Sequence, residues 1–586
     1  MLNRTRLVAL MVLAVTAGSV ATLAVRTSAR SHAAPDQTAQ PADLVLTNGK
    51  IVTVEDGAPE AQAIAVRGDR IVALGSTADI KQHTGAATKV IDLNGQLVIP
   101  GFIEGHGHFN GVGEAQLNLN LMKTSSWDEI VAMVDAAVKR AKPGQWIYGR
   151  GWHQEKWSAP PSPNVEGFPT HASLDRVSPD NPVVLTHASG HASFANAKAM
   201  ELSGITAATA NPPGGDVLKD SAGAPTGLLR ERASGLIRRG VGEPVPSAEE
   251  RLARARKVLE LAAQEVLSKG ITSFQDAGSS FADVDLMKTM VDEGKLGVRL
   301  WIMIRENNTA LAQNLAKYRM VDYGNGHLTV RAIKHSIDGA LGPRGAWLLE
   351  PYSDKPGDTG HNTTPIDVIA ETAKLALQHE YQLCVHAIGD RANRETLNIF
   401  EKAFAANPGR KDVRWRVEHA QHLHPSDIPR FGQLGVIASM QGVHATSDAP
   451  YVPERLGAKR AEEGAYVWQK LMKSGAIVSN GTDAPVEDVD PIANYYATVS
   501  RKTKDGRVFY PDQRMSRTEA LKSYTLNVAY AAFEESSRGS LQVGKLADMT
   551  VLSKDITTIA EDQIPTAQVT YTIVGGKILY KSEGKP

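Results

Sequence analysis

The chain has 586 residues, too many for one ordinary domain and enough to bury a large core. Hydrophobic residues make up 42% and charged residues 22%, and 64 Lys+Arg balance 64 Asp+Glu, which is a neutral globular composition without the basic footprint of a nucleic-acid binder or a strongly charged membrane patch. The one cysteine, Cys384, excludes an intramolecular disulfide and a Cys-rich zinc site, so a neutral or polar small molecule is the easiest partner to accommodate.

From the N-terminus, MLNRTR supplies a basic start at Arg4 and Arg6, and a long apolar run without charge follows. With the small residues near Ala33 and Ala34, residues 1–34 read as a secretory signal peptide or, because the run is long, an uncleaved anchor. Either reading places the folded body outside the cytoplasmic membrane, periplasmic or extracellular, with any membrane contact confined to that segment. Residues 35–42 form a linker. The pieces DLVLTNGKIVTV, AQAIAVRGDRIVALG and KVIDLNGQLVI then alternate and break at Asn48-Gly49, Gly68-Asp69 and Asn94-Gly95, as short antiparallel strands do. LADMTVLSKD and QVTYTIVGGKILYKS repeat this texture at the other end. Residues 43–98 and 540–586 are therefore expected to build one composite β-sandwich.

The middle, residues 99–539, changes character. SAEERLARARKVLELAAQEVLSKG is an amphipathic helix with capping-box spacing at Ser247 and Glu250 and a closing Gly270. GITSFQDAG, VRLWIMI, LTVRAIKHSIDGA, YQLCVHAIGD, VRWRVEHAQ, GVIASM and AIVSNGTDAP follow as short buried strands, several separated by helical stretches. With GQLVIPGFIEGHGH counted first there are eight, the number of an α/β (β/α)8 TIM-type barrel. The long interval after strand one, about residues 112–245, exceeds any ordinary βα loop and reads as an inserted subdomain over the barrel mouth.

The polar residues at the strand ends carry the chemistry. In GFIEGHGH, His106 and His108 lie two apart, and on a strand that spacing points both imidazoles to one side. H-x-H alone is a weak signal. Lys334 lies in the fourth strand, His386 and His419 end the fifth and sixth, and Asp483 ends the eighth. Each alone could be a capping or core polar residue. In a barrel these ends meet at one face, where unpaired buried polar groups are costly and a divalent metal removes that cost. The chain has no G-x-S-x-G elbow, no Walker-type phosphate loop and no HExxH.

These motifs resemble the amidohydrolase superfamily, in particular its amidohydrolase-3 branch of N-substituted formamide deformylase-like proteins. PGFIEGHGH, IKHSIDGALG, VHAIGDRAN, RVEHAQ, NGTDAPV and the C-terminal GKLADMTVLSKD carry the resemblance over nearly everything after residue 42. It implies a metal-dependent hydrolase of non-peptide C–N bonds that uses metal-activated hydroxide. His106 and His108 would bind the buried metal, His386 and His419 a second one, and Lys334 would bridge them as a CO2-derived carbamate. Asp483 would bind the buried metal and handle the proton as the catalytic acid–base. One or two divalent ions are implied, zinc first among them, and the family also offers a homodimer. Esters, carbamates or cyclic amides could react at the same site, and an isomerase or a binding protein could retain the fold. Two departures stand out: Glu104 where the family usually has Asp or a similar residue, and His335 after the lysine where an apolar residue is more usual.

Further substrate-binding candidates are His191 in SGHASFAN, Trp152 and His153 in GRGWHQEKW, and Asp338 and Arg344 in IDGALGPRGAW. The tryptophan, with Trp157, could equally be subdomain core, and Asp338 and Arg344 could equally hold the strand-four loop. Glu231 is a weaker candidate. His422 and His424 are expected to be solvated.

Overall fold

Eight apolar runs, each four to nine residues long, form the strands of a barrel: β1 (Phe102–Gly107), β2 (Ile271–Ser279), β3 (Arg299–Ile304), β4 (Leu328–Ser336), β5 (Gln382–Ala387), β6 (Arg416–His419), β7 (Ile437–Gln441) and β8 (Val478–Gly481). This is a computed structural model, and it describes residues 40–583. The strands lie in sequence order and neighbours pair in parallel. Most are buried at every position, because helices cover the outer face and side chains fill the interior.

The ring closes between β8 and β1. Asp483 N donates to His106 O at 2.7 Å, and His108 N donates to Ala484 O at 2.7 Å. Gly481 permits that approach, since a Cβ there would lie 2.4 Å from Glu104 Oε1 and 2.5 Å from His106 N. The helix before β2 runs Ala248–Ser268 with the Ser247–Glu250 capping box, and Gly270 follows at φ +82. A lost cap of this kind typically costs about 1 kcal/mol.

Both ends of the chain build the sheets flanking the barrel. One sheet holds Leu44–Thr47, Ala63–Arg67, Arg70–Gly75 and Lys89–Asp92. The other joins Lys50–Val52, Glu60–Ala61 and Leu97–Pro100 to Met549–Leu552, Val569–Val574 and Lys577–Lys581. Leu46, Val66, Val98, Val551 and Ile573 share one core between them. Burying each such side chain contributes about 1.5–3 kcal/mol. The run GQLVIPGFIEGHGH is not one strand, as its apolar continuity predicts. Leu97–Pro100 pairs with Met549–Leu552 in the terminal sheet, and the chain enters the barrel only at Phe102. Pro100 and Gly101 mark the changeover, since a residue without an N–H suits a strand end.

Between β1 and β2 the insertion forms a mixed sheet of Leu119–Asn120, Ile147–Trp152, Val183–His187, Ala192–Ala195, Gly215–Lys219 and Pro225–Glu231. Trp127, Trp152, Trp157 and Phe194 give it a core of its own. The signal or anchor segment lies outside the described residues. Among the described residues no helix is long and apolar enough to cross a membrane.

Candidate metal centre

Parallel register sets the strand ends at one height. His386 pairs with Ser336 and Glu418, and Ala387 pairs with His419. Six polar side chains from β1, β4, β5, β6 and β8 are thereby brought to the C-terminal face. His106, His419 and Asp483 each offer a ligand atom within 4.8 Å of the others, and all three are buried. His108 Nε2 lies 3.2 Å from Asp483 Oδ1, His106 Nε2 lies 3.6 Å from the same oxygen, and Lys334 Nζ lies 3.3 Å from His106 Nε2. The His386 ring centroid is 4.4 Å from that of His419. All six predicted ligand positions therefore sit at one end of the barrel, with His108 the most exposed.

His419 and Asp483 both have positive φ, +77 and +58. For non-glycine residues this is a strained conformation, costing of order 1–3 kcal/mol each. Such strain persists where the surroundings over-determine it, and here it coincides with the convergence of the strand ends.

The electrostatics leave His106, His386 and His419 neutral. Burial lowers His106 to about 4, with Lys334 adding to the effect. Burial also holds His386 and His419 well below 6.5. Burial brings Lys334 down to about 8, against the opposing pull of Glu418, so a neutral amine is accessible near physiological pH. Burial would raise Asp483, but the imidazoles of His108, His106 and His419 close around it hold it well below 3.8 as a carboxylate.

The donor set fits a divalent cation. His106 Nδ1 is engaged by Glu418 Oε2, and His419 Nδ1 lies 2.9 Å from Gln441 Oε1. Each ring is thus oriented through Nδ1, which leaves Nε2 as the ligand atom, that of His106 now meeting Lys334 Nζ. Asp483 Oδ1 and His386 Nε2 are buried without a hydrogen-bond partner. Nitrogen and carboxylate donors in this mix suit zinc and related divalent ions.

Sequence reasoning missed the layer beneath. Arg416 Nη2 donates to Glu418 Oε2 at 3.1 Å, to Ser439 Oγ at 2.8 Å and to Gly105 O at 2.7 Å. Burial would raise Glu418, but Arg416 and then His106 hold it far below 4.5. Glu104 differs: burial raises it to about 8, and Thr482 N, Thr482 Oγ1 and Tyr524 Oη surround it as neutral partners. The available signal was polar residues two apart on buried strands, as in RWRVEH, where alternation sends Arg416 and Glu418 inward together.

The remaining candidates separate. His191 and His153 line a small cavity of ≈ 40 Å³ beside His386, His419 and Asp483. His191 also borders an open cavity of ≈ 730 Å³ with His108 and Lys334, and its Nδ1 lies 2.7 Å from Glu231 Oε2. Asp338 borders the larger cavity, yet its carboxylate accepts N–H groups of Trp347, Ile388 and Gly389 at 2.8–3.0 Å, so it pins the β4 and β5 loops. Trp152 is not a pocket residue. It is fully buried in the insertion, its Nε1 donates to Leu185 O at 2.9 Å, and it lines neither cavity. Arg344 also lines neither cavity and pairs with Asp354 at 2.8 Å, holding its own loop. His422 is not solvated; it is 2% exposed, because its loop folds back on β5 through His422 N to Ile388 O. His335 follows Lys334 on the strand and faces the larger cavity.

The amidohydrolase family model (Amidohydro_3) matches residues 89–580. The chain belongs to the amidohydrolase family. It is similar to Protein LONG AFTER FAR-RED 3 of Arabidopsis thaliana, 35% identical over 552 residues and covering 92% of each chain. It is also similar to N-substituted formamide deformylase of Arthrobacter pascens, 27% identical over 550 residues, 92% of this chain and 99% of that one. Among solved structures, an uncharacterized metal-dependent hydrolase from Pyrococcus furiosus matches with a TM-score of 0.66 and 26% identity, over 88% of this chain and 100% of that one. This amidohydrolase thus has the fold of a metal-dependent hydrolase.

Proposed function

We propose that this amidohydrolase is an exported enzyme that hydrolyses a non-peptide C–N bond of a small molecule, an amide or a close relative. One observation carries the reading: Asp483 Oδ1, buried and without a hydrogen-bond partner, stands beside His106 and His108 where the strand ends converge. The deformylase relative acts, by its name, on N-substituted formamides, which supports an amide-type substrate. The basic, then apolar N-terminal run supports export.

His106, His108 and Asp483 would hold one divalent cation, and His386 and His419 a second. When bound, such an ion acidifies water to a pKa near 7 and polarises a carbonyl oxygen. Asp483 accepts a proton from the attacking water and returns it to the departing amine nitrogen. Water adds to the carbonyl carbon, the C–N bond breaks, and a carboxylic acid and an amine leave. Glu418 fixes the tautomer and orientation of His106 through Nδ1. Lys334 Nζ, as the neutral amine, would add to the carbon of CO2 and give up a proton to water, supplying an anionic carbamate as a further ligand beside His106.

Elemental mass spectrometry of the purified protein and of Lys334→Ala, with a panel of N-substituted amides, tests this. About two metals per chain, falling sharply in the variant, together with amide turnover, are expected. A metal-free protein after reconstitution with bicarbonate, or a loaded protein inert toward every amide, would sink the reading.

A further inference from the structure

Resting on that reading, we propose that the larger cavity is an oxyanion pocket and that the substrate carries an acidic group, a carboxylate or a phosphate-like one, beside its scissile C–N bond. Three guanidinium groups, Arg150, Arg232 and Arg305, border the cavity that holds His108 and Lys334. They come from three separated parts of the chain: the insertion strand Ile147–Trp152, the turn after Pro225–Glu231, and the end of β3. Among the described residues none of the three has a carboxylate within ion-pair distance, although the composition supplies one acid for every base. Arg150 donates only to main-chain carbonyls, Nε to Pro485 O at 3.4 Å and Nη2 to Ala188 O at 3.2 Å. Arg305 donates from Nη2 to Ser336 Oγ at 3.1 Å.

The acids in the same wall are otherwise engaged. Glu231 meets His191, Asp338 accepts three main-chain N–H groups, and Glu306 accepts Phe281 N at 3.4 Å. The arginines therefore form no ion pair with the acids lining their cavity, and only the more distant Asp483 and Asp276 face Arg150 and Arg305.

The backbone makes room for one of them, since a Cβ at Gly278, near the end of β2 at φ +142, would lie 2.9 Å from Arg305 Cδ. Guanidinium groups recognise planar oxyanions through paired N–H donors and stay charged at any working pH. A cavity of ≈ 730 Å³ has the size of a small-molecule site.

The test uses the metal-loaded full chain and matched sets of probes. N-acetyl and N-formyl amino acids of both configurations are compared with their carboxamides and with the corresponding aminophosphonates, by rate and by calorimetric binding. The expected result is a preference of at least tenfold for an anionic member over its carboxamide. In Arg305→Gln and Arg150→Gln that preference should shrink by about 10- to 100-fold, the weight of a lost charge-assisted contact, mainly through KM or Kd. Whether the carboxylate or the phosphonate wins identifies the oxyanion. Equal handling of carboxamides and anions, or no binding of any anionic member, overturns the proposal. If neutral formamides are hydrolysed without that preference, only the anion pocket falls and the C–N reading stands. If anions bind, lose affinity in the arginine variants and are never hydrolysed, the pocket stands and the C–N reading falls.

Discussion

At the start of β3, Arg299 is buried against Asp548 of the terminal sheet, with Nε to Oδ2 at 2.8 Å and Nη2 to Oδ1 at 3.1 Å. Gly575 N also donates to Asp548 Oδ1 at 2.8 Å, and Arg299 Nη1 donates to Asn325 O at 2.9 Å. At the opposite end of the same barrel, Asp483 Oδ1 and His386 Nε2 are equally buried and have no hydrogen-bond partner. The Arg299–Asp548 pair has every charged nitrogen and oxygen engaged, whereas Asp483 Oδ1 and His386 Nε2 are left open. An unpaired buried polar group costs about 1–3 kcal/mol, so the open end is maintained against stability and the closed end for it. Between these two pairs of groups, the satisfied charge serves architecture and the unsatisfied one lies at the site.

Substitutions can break that contrast. Asp483→Asn is expected to lower hydrolysis by about 10²- to 10⁴-fold, the range for a lost proton shuttle, while thermal unfolding of the metal-free protein stays near wild type. Near-normal turnover would remove Asp483 from the proton path. Asp548→Ala should do the reverse. Leaving Arg299 buried and unpaired costs about 3–5 kcal/mol in a denaturant titration, and kcat/KM of the protein that remains folded should not change. A stable Asp548→Ala protein would mean the pair is not structural.

The layer beneath the site gives a smaller effect. Glu418→Gln keeps a hydrogen-bond acceptor on His106 but removes the charge. Metal affinity, read by competition with a chromogenic chelator, is expected to fall about 10- to 100-fold. Unchanged affinity would confine Glu418 to packing around Arg416.

The pH dependence of stability provides the finest resolution. Burial pushes Asp548 up, and the charge and hydrogen bonds of Arg299 bring it below its ordinary 3.8. A depressed folded pKa means this contribution is fully present above 3.8 and is lost as pH falls through the folded value. The stability gap between wild type and Asp548→Asn should therefore be widest at neutral pH and narrow only on strong acidification. A gap that is flat into acid would show that the pair's charge contributes little.

Much of this was legible in the sequence. The eight strands, the cap at Ser247 and the convergence of His106, His108, Lys334, His386, His419 and Asp483 follow from periodicity, turn chemistry and the way parallel strands present their ends. One expectation failed, that His422 is solvated, and two open alternatives were decided by the fold, Trp152 as subdomain core and Arg344 as a loop-holding residue. Neighbours in the chain do not set burial, which depends on what packs from elsewhere. Trp152 meets Phe194 and Trp157, Arg344 meets Asp354, and the His422 loop folds onto β5.

The sequence by itself determined which residue types stand at each strand end, since a period of two and a short strand leave few choices. Only the tertiary structure decided which charges find partners. Arg416 reaches across the barrel interior to β1 and β7, Glu418 turns to His106, and Arg150 and Arg305 approach one cavity from elements far apart in the chain. Hydrogen bonds and ion pairs act over a few ångströms, and distances of that kind between distant segments come into being only when the barrel closes.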